Sequence, residues 1–179
     1  SKKGVIRISY IGNLSYWNPC KEMIDLFSNN VKFEMRFVGP GYERIKEYCE
    51  KNNVKNVWFH GRFERKKTVD FYNETDIVYN IYGNDEINLR TALSNKLYYA
   101  MKFRIPILVS PNTYMESICN KYNIGITFEN NVDFPEKLYN IYNNFEKEKH
   151  DFDGAWNDVF NEDKKCELRI KEFLEKTNE

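Results

Sequence analysis

The chain has 179 residues, 41% of them hydrophobic, which is enough for one well-packed core and short for two. Lys and Arg total 27, and Asp and Glu also total 27, so the formal net charge is zero. The chain as a whole therefore does not attract nucleic acid or an anionic membrane, and any anion site must be local. The four cysteines stand apart with no C-x-x-C pair, which indicates free thiols rather than a zinc or redox site.

Short apolar runs rich in β-branched and aromatic residues alternate with amphipathic segments, which predicts βα units on a parallel sheet. The predicted strands are 4–12, 32–39, 56–61, 76–82, 105–110 and 124–129. The predicted helices are about 19–29, 41–52, 65–74, 94–103, 112–122, 134–145 and 155–176. Asn18 followed by Pro19 predicts the start of the first helix, because Asn caps a free amide and Pro has none. The fold class is therefore α/β, a doubly wound, six-stranded, Rossmann-like sheet with extra helices at about 134–179 that pack back on it.

Right-handed crossovers give such a sheet the strand order 3-2-1-4-5-6, and its ligand crevice opens where the winding reverses. That point lies between the first and fourth strands, whose carboxyl ends lead into residues 12–19 and 83–94. The second connection is about twice the usual length of a βα loop, which favours a functional role. It carries Asp85, Glu86 and Arg90, and such groups can bind sugar hydroxyls or a phosphate. For each of these residues the alternative is a solvated charged loop.

The helix predicted to begin at Ser94 has a start suited to an anion. Ser94 is a good N-cap, so the amides of residues 95–97 would point out of the helix toward the crevice, where a helix start is partly positive. Lys96 adds a full charge, beside Asn95 and Tyr99. A core stripe at helical spacing consists of Leu93, Leu97, Ala100 and Met101. The alternative is a surface Lys and a surface Asn on a capped helix.

Several familiar motifs are missing from the sequence. It contains no G-x-G-x-x-G, no G-x-x-x-x-G-K-[ST] and no G-x-S-x-G, which argues against a nicotinamide oxidoreductase, a Walker-type ATPase and a serine hydrolase. Gly39, Gly41 and Gly61 follow predicted strands and allow a backbone to approach a ligand closely. His60 and His150 lie at a strand end and in a charged turn, where we interpret them as structural.

The segment NKLYYAMKFRIPILVS at 95–110 resembles the "nKlfEYmaaGkPVia" signature of the C-terminal, donor-binding domain of GT-B glycosyltransferases, specifically the retaining group 1 family. Residues 10–15, 35–45 and 56–82 resemble further segments of that domain in the same order, so the similarity covers roughly residues 5 to 129. The resemblance implies that a nucleotide diphosphate sugar is held in the crevice. It also implies that no metal is required, because helix amides and basic side chains stabilise the departing diphosphate.

The resemblance assigns parts of the crevice to parts of the donor. It implies that Gly61 and Arg62 lie along the base, largely through backbone groups. The helix start at 94–97 would donate amides to the diphosphate. The turn at Gly12 and Asn13 would approach the transferred sugar or its phosphate.

The sequence departs from the family pattern at its acids. The family's pair of acids falls at Ala92 and Tyr99, and the second acid of the pair normally holds the ribose. Tyr99 can make a single hydrogen bond there but not a carboxylate clamp, and Glu86 is the next candidate. The family's basic residues after the first strand are also absent. The diphosphate would therefore depend on Lys96 and Arg90.

A GT-B enzyme places the acceptor and its remaining catalytic groups on an N-terminal domain, and 179 residues leave no room for one. The resemblance therefore implies a piece excised from a two-domain chain, inactive alone, whose catalytic residues lie in the missing half. The acceptor would be a polysaccharide or glycolipid, as in a divergent branch that builds bacterial surface polysaccharides. Two alternatives stay open: a non-catalytic binding or interaction module on the same fold, and a nucleotide-sugar epimerase of GT-B fold.

No apolar run of the sequence approaches the roughly 20 residues that a spanning helix needs. No charged-then-apolar leader resembles a signal peptide either. We therefore expect a cytoplasmic location. Peripheral association of the full-length enzyme with the inner face of the membrane is an open alternative.

Overall fold

The fold is built on a sheet of six strands in which every neighbouring pair is parallel. The structure is a computed structural model and describes residues 4–176. The strands are β1 (Ile6–Ile11), β2 (Phe33–Val38), β3 (Val57–His60), β4 (Ile77–Asn80), β5 (Ile107–Val109) and β6 (Gly125–Thr127). Their order is β3-β2-β1-β4-β5-β6, which confirms the predicted doubly wound topology and its switch point between β1 and β4.

Helices cover both faces of this sheet. They are α1 (Trp17–Phe27), α2 (Glu43–Lys51), α3 (Thr68–Asn73), α4 (Ile87–Thr91), α5 (Asn95–Phe103), α6 (Tyr114–Tyr122), α7 (Phe134–Asn144) and α8 (Phe152–Lys176). Short 3-10 turns at Arg65–Lys67 and Phe145–Lys147 precede α3 and follow α7. Within residues 4–176 no helix is both long and apolar enough to cross a membrane.

The core consists of two apolar clusters, one on each face. One cluster packs α1, α2 and α7 against the sheet, and the other packs α3, α5, α6 and α8. Successive strand residues serve opposite clusters, as with Tyr10 and Ile11, because side chains alternate across a strand. Burial on both faces also explains the continuous apolar sequence of β5, whose three residues are all fully buried.

Three helix boundaries differ from the sequence expectation. α1 begins at Trp17 rather than after an Asn18 cap, and Pro19 is tolerated because the first-turn amides have no intrahelical acceptor. The connection at 83–94 holds α4, which is too short to show as a periodic pattern. α8 begins at Phe152, ahead of the predicted 155, because the Asp151 carboxylate accepts a hydrogen bond from the Gly154 amide at 2.9 Å.

The two C-terminal helices differ in how far they pack on the sheet. α7 buries Phe134 and Leu138 in the cluster that contains Tyr10. α8 buries Phe152 and Ala155 but is exposed from residue 160 to residue 175. The expectation that both helices pack back is therefore confirmed for α7 and for the first turns of α8 only.

Candidate functional site

The carboxyl ends of β1 and β4 and the start of α5 meet at the predicted switch point, and Lys96 lies between them. Its Nζ donates to the Tyr82 hydroxyl at 2.5 Å and lies 4.3 Å from the centre of the Tyr10 ring. Gly12 has a φ of +136°, and a Cβ added there would come 3.5 Å from Lys96 Nζ. The β1 loop therefore passes the ammonium with only backbone on that side.

Lys96 is a buried cation without a carboxylate partner. It is 7% exposed, and none of the ion pairs in the described part of the chain includes it. Burial lowers the pKa of Lys96 to about 8, although the nearby Cys20 thiol acts in the opposite direction. Since burying an unpaired charge is unfavourable, the site is suited to an anion that supplies the missing counter-charge.

Tyr10 and Tyr82 lie next to Lys96, and Tyr16 packs on Tyr82; sequence reasoning missed all three as site residues. The Tyr16 ring stacks on the Tyr82 ring with centroids 4.4 Å apart. The Tyr10 hydroxyl donates to the Asn13 carbonyl at 2.8 Å and so fixes the β1 loop. Burial raises the pKa of Tyr82, so its hydroxyl stays protonated near neutral pH. Their position at the carboxyl ends of predicted strands was the only available signal, because buried tyrosines are otherwise ordinary core residues.

The start of α5 confirms Ser94 as the N-cap. Ser94 is extended, with φ −95° and ψ 142°, and its Oγ accepts from the Lys96 amide at 3.2 Å. The Leu97 amide bonds the Ser94 carbonyl at 2.9 Å. Of the three amides predicted to be free, that of Asn95 alone lacks such a partner within the described chain. The helix start therefore offers a single backbone donor next to Lys96.

The predicted base site lies farther along the same edge. Gly61 and Arg62 follow β3, which is separated from β1 by β2 alone, roughly 10 Å at the usual strand spacing. Arg62 is exposed, whereas Gly61 is partly buried beside the Tyr42 ring. The loops that follow β1 and β2 are in contact, since a Cβ added to Gly39 would lie 2.0 Å from the Gly12 carbonyl oxygen. The edge from Gly12 to Gly61 is thus one continuous surface.

The remaining predicted residues are not gathered around Lys96. Glu86 precedes α4 and Arg90 lies in its last turn. Both are exposed, and neither forms an ion pair or side-chain hydrogen bond with Lys96 in the described residues. Asn95 and Asn13 are exposed at the crevice edge. Within residues 4–176 no group of three His, Cys, Asp or Glu side chains is arranged to hold a metal ion.

Tyr99 belongs to an aromatic stack. Its ring lies 4.5 Å from the ring of Tyr72 in α3, at an angle of 14°, and 6.3 Å from that of Phe103. Tyr72 is buried and Tyr99 is partly buried. The aromatic residue at this position therefore joins α5 to α3, a packing role that the sequence did not indicate.

No protein-family model matches the sequence, and no curated protein matches it significantly. Solved structures do match, as for HepE from Anabaena in complex with UDP and glucose, with a TM-score of 0.72 and 12% identity over 96% of this chain and 48% of that one. WaaG, a glycosyltransferase involved in lipopolysaccharide biosynthesis, matches with a TM-score of 0.63 and 14% identity. That match covers 88% of this chain and 43% of WaaG. The catalytic domain of a Helicobacter pylori cholesterol-α-glucosyltransferase matches with a TM-score of 0.59 and 14% identity. That match covers 87% of this chain and 98% of the other.

These similarities confirm the resemblance drawn from the sequence at the level of fold. The chain has the parallel Rossmann-like fold found in GT-B glycosyltransferases. It spans about half the length of HepE and of WaaG.

Proposed function

We propose that this chain is the donor-binding half of a glycosyltransferase and that it holds a nucleotide diphosphate sugar with the diphosphate against Lys96. The observation that carries the proposal is the buried Lys96 ammonium, which has no carboxylate partner in the described chain and lies at the switch point. A diphosphate would supply the missing negative charge. HepE shares the fold and is in complex with UDP and glucose, so uridine diphosphate is the first ligand to test.

The proposal extends to the chemistry of transfer. Lys96 and the Asn95 amide would stabilise the charge that develops on the departing diphosphate, a role that needs no metal ion. Gly12 and Asn13 would lie at the sugar and Gly61 at the base, because these positions follow one another along the same edge of the sheet.

The proposal also includes a longer, two-domain protein. Transfer with retention to a polysaccharide or glycolipid acceptor would require an N-terminal half with the remaining catalytic groups, and the present chain alone would be inactive. We propose a bacterial, cytoplasmic enzyme of surface polysaccharide synthesis. The support is the named role of WaaG in lipopolysaccharide biosynthesis and the half-length match to it.

Calorimetric titration with uridine, guanosine and adenosine diphosphates tests the donor site. We expect one of them to bind with a dissociation constant of about 1 mM or tighter at pH 7, equivalent to roughly 4 kcal/mol. Lys96→Met should abolish binding, whereas the same change at exposed Lys102, in the same helix, should not. Absence of binding by all three nucleotides, or full affinity in Lys96→Met, would refute the proposal.

A non-catalytic binding module is the second candidate, and the Tyr99 stack favours it. The position of the family's second acid is occupied here by a ring that packs on Tyr72, so a functional carboxylate has been replaced by packing. This module would have lost the donor site, so it would bind none of the three nucleotides in the titration above. A second test is to incubate the two-domain protein with the UDP-sugar and a polysaccharide or glycolipid acceptor, because only the enzyme would transfer the sugar to the acceptor and release UDP.

A further inference from the structure

Tyr82 is held through its backbone, its ring and its hydroxyl. Its amide donates to Ser110 Oγ at 3.0 Å, and its ring stacks on Tyr16 at 4.4 Å. Its hydroxyl lies 2.5 Å from Lys96 Nζ and 3.2 Å from Ser94 Oγ. Tyr82 thus connects the cation of the crevice to the N-cap of α5.

Lys96, Tyr82 and Ser94 form a hydrogen-bonded series, and the ammonium group of Lys96 fixes the direction of its first bond. An ammonium group can only donate, so the Tyr82 oxygen accepts from Lys96. Either hydroxyl of the Tyr82–Ser94 pair can donate, because the Tyr82 oxygen has a second lone pair. When Tyr82 donates, Ser94 Oγ accepts both from it and from the Lys96 amide at 3.2 Å. In the described part of the chain the Ser94 hydroxyl hydrogen has no further acceptor. With Tyr82 as the donor, the Ser94 hydroxyl hydrogen is left to donate to a ligand in the crevice.

The same bond restrains Lys96. A lysine side chain loses rotamer entropy when it is fixed, and a partner that fixes it before the ligand arrives removes that loss from binding. Tyr82 uses one of the three N–H bonds of the ammonium, and the Tyr10 ring lies under the group. The remaining N–H capacity can serve an anion.

We propose that Tyr82 is a positioning residue, which holds the Lys96 ammonium and turns the Ser94 hydroxyl toward the ligand, so that two donors act together on a phosphate. This inference rests on the proposed function in taking the ligand to be a nucleoside diphosphate. It concerns only the hydroxyl of Tyr82, because the ring also packs against Tyr16 and would do so in a purely structural role.

Tyr82→Phe separates the two roles, since it keeps the ring and removes the hydroxyl. The first measurement is an NMR titration of the Lys96 side chain with 13C-labelled lysine, assigned by the signal lost in Lys96→Met. The groups that face Lys96 are Tyr10 from β1, Cys20 from α1 and Tyr82 itself, and burial raises the pKa of all three. We expect the pKa of Lys96 to fall below its value of about 8 in Tyr82→Phe, because the charged form loses its acceptor.

The second measurement is the affinity for UDP. We expect Tyr82→Phe to weaken it by about tenfold at pH 7, the effect of one charge-assisted hydrogen bond, and by more at pH 8.5. Tyr122→Phe is the matched control, because it removes the hydroxyl that accepts from Lys121 Nζ at 2.6 Å in an exposed pair far along α6. Neither the titration of Lys96 nor the UDP affinity should change in that control.

An unchanged Lys96 titration with UDP affinity within twofold of the wild type would overturn the inference. If the wild type binds no nucleotide, the proposed function fails, and the Lys96 titration still decides whether Tyr82 holds the ammonium. Ser94→Gly tests the second donor without the aromatic change, since glycine is nearly as good an N-cap. A loss of less than twofold in UDP affinity for that variant would contradict the outward orientation of the Ser94 hydroxyl.

Discussion

Replacing Lys96 with methionine should stabilise the protein in the absence of ligand. Methionine replaces the aliphatic part of the side chain up to its terminal carbon and removes the charge of a residue that is 7% exposed. Burial lowers the pKa of Lys96 from 10.5 to about 8, and this shift corresponds to about 3 kcal/mol by which the folded state disfavours the charged form. Loss of the bond to the Tyr82 hydroxyl offsets about 1 to 2 kcal/mol of this gain. The expected net increase in the free energy of unfolding is therefore about 1 to 2 kcal/mol at pH 7.

The pH dependence distinguishes this explanation from a general packing effect. Below pH 8, Lys96 is charged in both the folded and the unfolded state, so the wild type carries the whole unfavourable contribution. Between about pH 8 and 10.5 the folded state loses the proton first, so this contribution fades as the pH rises. The advantage of Lys96→Met should therefore be largest near pH 7 and should shrink toward pH 10.

Urea unfolding followed by circular dichroism at pH 7 and at pH 10 measures both differences. Lys102→Met, an exposed lysine in the same helix, should change the free energy of unfolding by less than about 0.5 kcal/mol at either pH. The reasoning is refuted if Lys96→Met is destabilised at pH 7, or if its difference from the wild type is the same at the two pH values.

Three further substitutions test other parts of the account. Gly39→Ala should lower the free energy of unfolding by more than about 2 kcal/mol in urea, because the added Cβ would lie 2.0 Å from a backbone oxygen at a φ of +133°. Asp76→Ala should destabilise by about 3 kcal/mol, because it leaves Arg7 without its partner, yet UDP affinity by calorimetry should be unchanged at this opposite edge of the sheet. Tyr99→Phe keeps the aromatic stack and should leave stability unchanged. If the predicted ribose contact exists, this variant weakens UDP binding several-fold, and equal affinity would place that contact elsewhere.

The strands of the sheet could be predicted from the sequence, because a parallel strand that is buried on both faces has a continuous apolar sequence. Each such segment can be recognised without knowledge of its neighbours. The three buried residues of β5 are an example, and the strand order then follows from handedness alone. The Ser94 N-cap was predictable for a similar reason, since a cap depends on bonds within its own turn.

The environment of the site was not predictable, because it depends on contacts between distant parts of the chain. Lys96 is buried by Tyr82 and by Tyr10, whose ring comes from a strand 86 positions earlier. The sequence therefore left Lys96 open between a surface residue and an anion site. Tyr99 was likewise assigned to the ribose by analogy, because its stacking on Tyr72 exists only once α3 and α5 pack together.

A cation lies near each end of β1, Arg7 within the strand and Lys96 beside its carboxyl end, and the two differ in their partners. Near the amino end, Arg7 is bound to Asp76 by its backbone amide at 2.9 Å and by its guanidinium at 2.8 and 3.2 Å. At the carboxyl end, Lys96 has a neutral tyrosine hydroxyl and two aromatic rings instead of a carboxylate. A buried charge without a counter-charge costs free energy, and an anionic ligand bound beside Lys96 would offset that cost. Because no acid among residues 4–176 forms an ion pair with Lys96, the crevice between β1 and β4 is the better candidate for an anion site than the opposite edge of the sheet, where Arg7 is paired.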